Sequence, residues 1–175
     1  MIGKDDIRRY LSELSAELAS AGVRGEMFLV GGAAMALAYN TRRATRDIDG
    51  VFEPKTLVYE AAARIAAHHH TELDEDWLND GVKGFLLGED PAATVVFDEP
   101  GLRVRVASPR YLFAMKVVAA RVERDADDIA ALYGLSRFES VDDALEYVEH
   151  TYPHLTLLPQ VRYLLEELHA EDKLG

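Results

Sequence analysis

Apolar residues at Ile7, Leu11, Leu14 and Leu18 recur at intervals of four and three, which predicts an amphipathic helix over Lys4–Ser20, stopped by Gly22. A short, mostly apolar run over 26–30 predicts a strand, and Gly31-Gly32 turns it into a small-residue helix over 33–39. In "RDIDGVFE" the pattern changes to a period of two: Ile48 and Phe52 face one way, and Asp47, Asp49 and Val51 the other. A helix is predicted over 54–68, with Pro54 in its first turn. "WLNDGVKGFLLGEDP" is less regular and reads as loop plus a short strand. "ATVVF" and "LRVRV" then flank "DEPG" as a hairpin, with Pro100-Gly101 suited to the centre of a type II turn. From Pro109 a helix carries Leu112, Met115, Lys116 and Ala119 toward Glu123. "RDADDIAALYG" reads as a new helix, capped by Asp125 and ended by Gly134. Two more helices follow, over 141–150 behind a Ser140-x-x-Asp143 capping box and over 159–169. Strands come early and helices dominate late, so the class is α+β, with a small mixed sheet flanked by helices and a helical C-terminal part.

Composition narrows this picture. At 175 residues and 49% hydrophobic content, one domain with a full core is expected. The absence of cysteine excludes a disulfide framework and a thiolate zinc site and suits a reducing compartment. "MIGKDDIRRY" is charged where a secretory signal would be apolar, and the low-charge run over 27–39 is too short to span a bilayer. A soluble, cytoplasmic protein without a membrane partner is therefore expected. The net charge of −12 argues against coating nucleic acid through bulk electrostatics. Positive charge is nevertheless concentrated locally, since Arg42, Arg43 and Arg46 precede the paired aspartates.

Two carboxylates at i and i+2 on a strand share a face with Cα atoms roughly 6.5–7 Å apart. Such a pair can grip Mg²⁺ from a rigid platform. Gly31 and Gly32, at a strand-to-helix turn, let backbone N–H groups approach a phosphate closely. Arg43 and Arg46 could contact phosphate oxygens, and Lys116 could reach a triphosphate as a point charge. Each feature also has a plainer reading: a solvated strand face, a packing turn, a lysine snorkelling from a helix, and Asp125 and Asp128 serving as cap and third-position acid. His68 to His70 sit at a helix end, where such residues are favoured structurally, and Trp77 reads as a core or lid anchor.

Order and spacing together carry more than any single feature. "VGGAAMALAYNTRRATRDIDGVF", "WLNDGVKGFL", "SPRYLFAMKVVAAR" and "RDADDIAALYGL" in this order resemble nucleotidyltransferase-fold proteins related to AbiEii-type toxins of bacterial toxin–antitoxin systems. The resemblance covers residues 27–135 and implies a polymerase-β-like nucleotidyltransferase fold. It places a catalytic core over 1–135 and a C-terminal helical extension over 136–175. It implies transfer of a nucleoside monophosphate from an NTP to a hydroxyl acceptor, by a toxin-like enzyme acting on tRNA. Asp47 and Asp49 would ligate Mg²⁺, and Gly31, Gly32, Arg43, Thr45, Arg46 and Lys116 would bind the nucleotide. Lys116 and Asp128 would join the two aspartates as catalytic residues. A cognate antitoxin is an implied partner. Protein or small-molecule acceptors share the chemistry, and a non-catalytic nucleotide-binding module shares the fold. The third metal-binding acid of many such proteins has one available position, Asp98, at the mouth of the hairpin turn.

Overall fold

The structure is a computed structural model that describes residues 1–41, 44–86, 88–119, 122–157 and 159–172, with side chains excepted at 122–124, 171 and 172. The chain divides into two compact units, Met1–Leu86 with Pro91–Ala107, and Leu87–Asp90 with Ser108–Gly175.

The first unit begins with β1 (Ile2–Gly3) and α1 (Lys4–Ser20), whose predicted apolar stripe is buried at Ile7, Leu11, Leu14 and Leu18. β2 (Gly25–Leu29) leads into α2 (Gly31–Ala34), which widens into a π-helical turn over Met35–Tyr39 and ends at left-handed Asn40. β3 (Ala44–Thr45) pairs with β1. β4 (Ile48–Glu53) then returns antiparallel to β2, and α3 (Lys55–His68) crosses to β5 (Leu78–Asn79), parallel to β4. Pro54 stands just before the first turn of α3, as its cap. A 3₁₀ turn at Gly81–Phe85 precedes the hairpin of β6 (Thr94–Glu99) and β7 (Leu102–Val106). The five strands lie in the order β5-β4-β2-β7-β6, with β7 parallel to β2. The class is α+β with a small mixed sheet, as the sequence predicts.

Alternation decides which sheet face forms the core. Met27, Leu29, Ile48, Phe52, Leu102, Val104 and Val106 are buried, whereas Phe28, Asp49, Val51, Arg103 and Arg105, on the other face, are half-buried or exposed. The hairpin turn departs from the sequence expectation. A type II turn needs a positive φ at its glycine, and Gly101 is not among the positive-φ glycines. Gly101 is required by proximity instead: a Cβ there would lie 1.9 Å from the Ser15 carbonyl oxygen of α1.

The second unit is helical: α4 (Pro109–Val118), α5 (Val122–Ser136), α6 (Val141–Thr151) and α7 (Pro159–Asp172). Ser108 caps α4 by accepting the Tyr111 N–H, and buried Asp90 accepts from both the Ser108 N–H at 2.6 Å and its hydroxyl at 3.2 Å. The capping box expected before α6 is half made. Ser140 accepts the Asp143 N–H, but the Asp143 carboxylate turns to the Glu139 N–H. Among the described residues, no helix is long and apolar enough to cross a membrane.

Candidate active site

β4 sets the carboxylates. Ile48 is fully buried and its N–H donates to the Trp77 carbonyl at 2.6 Å, so the alternation turns Asp49 away from the core. Asp47, just before the strand, is half-buried like Asp49. Burial first, and then the charge of Asp47, push the Asp49 carboxyl up from its ordinary value, opposed by hydrogen bonding from the Asn79 side chain. Among the described residues, no ion pair reaches Asp47 or Asp49.

The Gly-Gly turn lies against this pair. The Val30 N–H donates to the Asp49 carbonyl at 3.0 Å, and the next residue, Gly31, has φ +62°. A Cβ on Gly31 would stand 3.3 Å from Asp49 Oδ2 and 3.8 Å from Asp49 Cβ. Glycine therefore serves both the left-handed backbone and the approach to the carboxylate. Thr45 is buried, and its hydroxyl donates to the Asp47 carbonyl at 3.0 Å, steadying the bend before β4. Arg46 is exposed. Arg43, with Arg42, lies outside the described residues.

Asp98 does not join the pair. It forms an ion pair with Arg24 and stands opposite Arg103, which follows Glu26 and Glu53 across the sheet. That row is four residues from Asp49, about 13 Å along the strand, and β6 is three strands from β4, about 14 Å across. On the carboxylate face, β7 itself carries Arg103 and Arg105.

In the helical unit, Lys116 Nζ lies 3.1 Å from Asp125 Oδ1 and 2.9 Å from Asp128 Oδ2, with side-chain exposures of 24%, 11% and 13%. Asp125 is not the predicted cap. α5 begins at Val122 and runs past Gly134 to Ser136, so the two acids share one helical face, three residues apart. The Lys116 charge lets Asp125 be buried inside the helix.

The model of a family described as "Nucleotidyltransferase of unknown function (DUF6036)" matches residues 9–155. The chain belongs to this family. No curated protein matches it. The matched segment of this nucleotidyltransferase contains Gly31, Asp47, Asp49, Asn79, Lys116 and Asp128.

The donor chemistry of the pair suits a hard divalent cation, since the two half-buried carboxylates raise the proton affinity of one of them and, among the described residues, meet no cation. Among the described residues, no cluster of three or more His, Cys, Asp or Glu side chains is set to hold a metal. Trp77 is a core residue, buried and donating to the Ala62 carbonyl at 3.1 Å. His69 packs on Tyr10 and meets Glu13 at 2.8 Å, a structural contact.

Sequence reasoning missed Asn79 and Asp80. Asn79 is the β5 partner of Asp49, and Asp80 is held by Lys55 and by the Tyr59 hydroxyl at 2.7 Å. The usable signal was a polar Asn-Asp directly after the apolar Trp-Leu, where a strand returning from a crossover helix ends. In open α/β sheets, the carboxyl ends of parallel strands gather ligand-binding groups.

Proposed function

We propose that the chain is an Mg²⁺-dependent nucleotidyltransferase that moves a nucleoside monophosphate from an NTP to a hydroxyl acceptor. One observation carries this reading: a carboxylate pair at the start of β4 that meets no cation among the described residues, set against a glycine turn, in a chain of a nucleotidyltransferase family. Asp47 and Asp49 are the residues that would hold Mg²⁺. Bound there, the ion supplies charge that offsets the phosphate oxygens and lowers the pKa of the acceptor hydroxyl. Gly31 and Gly32 keep the turn bare of side chains, so that backbone N–H groups can meet the triphosphate. Arg43 and Arg46 add charge for phosphate oxygens, and Lys116 keeps the phosphate role that the AbiEii-type resemblance assigns to it, with Asp128 as its partner acid. In the reaction, the acceptor oxygen bonds to the α-phosphorus, the bond from that phosphorus to the bridging oxygen breaks, pyrophosphate leaves, and the acceptor proton passes to solvent. Positioning and charge supply most of the rate enhancement in such chemistry.

For the acceptor we propose tRNA, in a toxin-like activity paired with a cognate antitoxin. A protein hydroxyl is the second reading, favoured by the net charge of −12 and by Arg162, whose guanidinium is engaged by Asp142 at 2.9 Å and Glu166 at 3.8 Å. The test offers each α-³²P-labelled NTP with Mg²⁺ to total RNA and to cell protein, using wild type and Asp47→Ala/Asp49→Ala. A labelled tRNA band that needs both aspartates is expected. A labelled protein band would move the acceptor to the second reading, and no transfer with any NTP would end the transferase proposal.

A further inference from the structure

Asn79 is the residue through which the fold reaches Asp49 from the side. It stands at the end of β5, directly paired with Asp49 in a parallel bridge, so the two side chains leave the sheet on the same face. Asn79 Oδ1 accepts the Gly81 N–H at 3.1 Å, which anchors the carboxamide by its oxygen beside Asp49.

Both flanks of Asn79 are fixed. Before it, Trp77 and Leu78 are buried, the Trp77 indole is bonded to Ala62, and the Trp77 carbonyl holds the Ile48 N–H. After it, Asp80 meets Lys55 and Tyr59, and the Asp80 N–H donates back to the Tyr59 hydroxyl at 3.1 Å. Lys55, Tyr59 and Ala62 follow at helical spacing on α3, so one face of this helix clamps the β5 end. On its other side β4 pairs with β2, where the Val30 N–H donates to the Asp49 carbonyl and the neighbouring side chains Phe28 and Val30 are apolar.

We propose that Asn79 is a positioning residue, its carboxamide anchored by Gly81 and holding Asp49 in the rotamer that faces the Gly31 turn. The inference rests on the reading of Asp47 and Asp49 as the ion-holding pair, and it deepens that reading by naming what orients one of them. Groups that orient a metal ligand typically contribute about 10–100-fold to affinity or rate.

The test uses the full chain with Asn79→Ala and, should that variant fold poorly, Asn79→Ser. Three readouts are taken: Mn²⁺ affinity by electron paramagnetic resonance, kcat and KM in the labelled-transfer assay, and the crystal structure of the variant. Mn²⁺ affinity and kcat are each expected to fall about tenfold. KM for the NTP and the melting temperature should stay near wild type, a split that a merely structural residue would not produce. The variant structure should show the Asp49 carboxylate turned from Gly31. An unmoved Asp49, or Mn²⁺ affinity and kcat within about twofold of wild type, overturns the proposal. If wild type itself takes up no Mn²⁺ and transfers no label, the transferase reading fails separately, and the Asp49 rotamer in the variant structure alone decides the role of Asn79.

Discussion

Asp47 and Asp49 stand two residues apart at the start of a strand, and Asp125 and Asp128 stand three apart on a helix; the second pair closes on Lys116, while among the described residues the first meets no cation. The helical pair is largely buried, yet its charge is answered within the fold. The strand pair is less buried, and one of its members is pushed toward the protonated form. Charge balanced internally serves stability, because neither half can be removed without stranding the other. Like charge gathered at the start of a rigid strand is a cost to the metal-free protein, and such a pair suits a ligand that brings a cation.

Substitutions in the two regions should therefore separate activity from stability. The largest effect is expected from Asp49→Asn or Asp47→Asn, with transfer in the labelled-NTP assay falling at least about a thousandfold. Metal-free Asp49→Asn should melt no lower than wild type, since it removes a charge that burial and Asp47 already disfavour. A marked loss of melting temperature in that variant would break the contrast. Lys116→Met should lower stability as well as transfer, costing about 3 kcal/mol in urea unfolding because Asp125 and Asp128 lose their shared partner. An unfolding midpoint equal to wild type would show that the helical pair does not depend on Lys116.

Gly31→Ala comes next, at about 1–2 kcal/mol for a left-handed L-residue. Its Cβ contact with the Asp49 carboxylate should also slow transfer more than the stability loss explains. The smallest effect concerns pH. The Lys55 ammonium and then the Tyr59 hydroxyl hold the Asp80 carboxyl below its ordinary value. The folded state then binds protons less readily than the unfolded chain, so this stabilisation is present above about pH 4 and is lost as pH falls through the lowered folded value. Tyr59→Phe should flatten that loss in acid urea titrations; an unchanged acid limb would remove Asp80 from the support of the β5 end.

How far these regions could be read in advance depended on how long each element repeats its pattern. α1 carries four turns of apolar spacing, and its limits were legible to the residue. β4 alternates over its whole length, so Asp49 could be assigned to a face before any coordinates. β5 has only Leu78 and Asn79, too few to display a period, and its pairing with Asp49 comes from the crossover through α3 rather than from local propensity. The start of α5 misled for a related reason: an aspartate near a helix start reads as a cap, and what allows Asp125 to sit inside is Lys116, on a different helix. The segment "RDIDGVFE" also displayed Asp47 and Asp49 without their surroundings. The alternation in "LRVRV" sets Arg103 and Arg105 on one face of β7, but that this is also the face of Asp49 depends on strand order, a property of the whole sheet.

The close seating of Gly101 on α1 bears on how this protein opens. The Gly101 N–H donates to the buried Ser15 hydroxyl at 3.0 Å, and its carbonyl accepts the Gly25 N–H at 2.8 Å, so a hairpin tip is tied both to a helix and to the central strand. Amide protons at hairpin tips ordinarily trade with deuterium through small local fluctuations. This one can do so only when α1 lifts from the sheet, and its exchange should track the global unfolding free energy. Residues far apart in the sequence would thus belong to one cooperative unit, with a single glycine amide as its reporter.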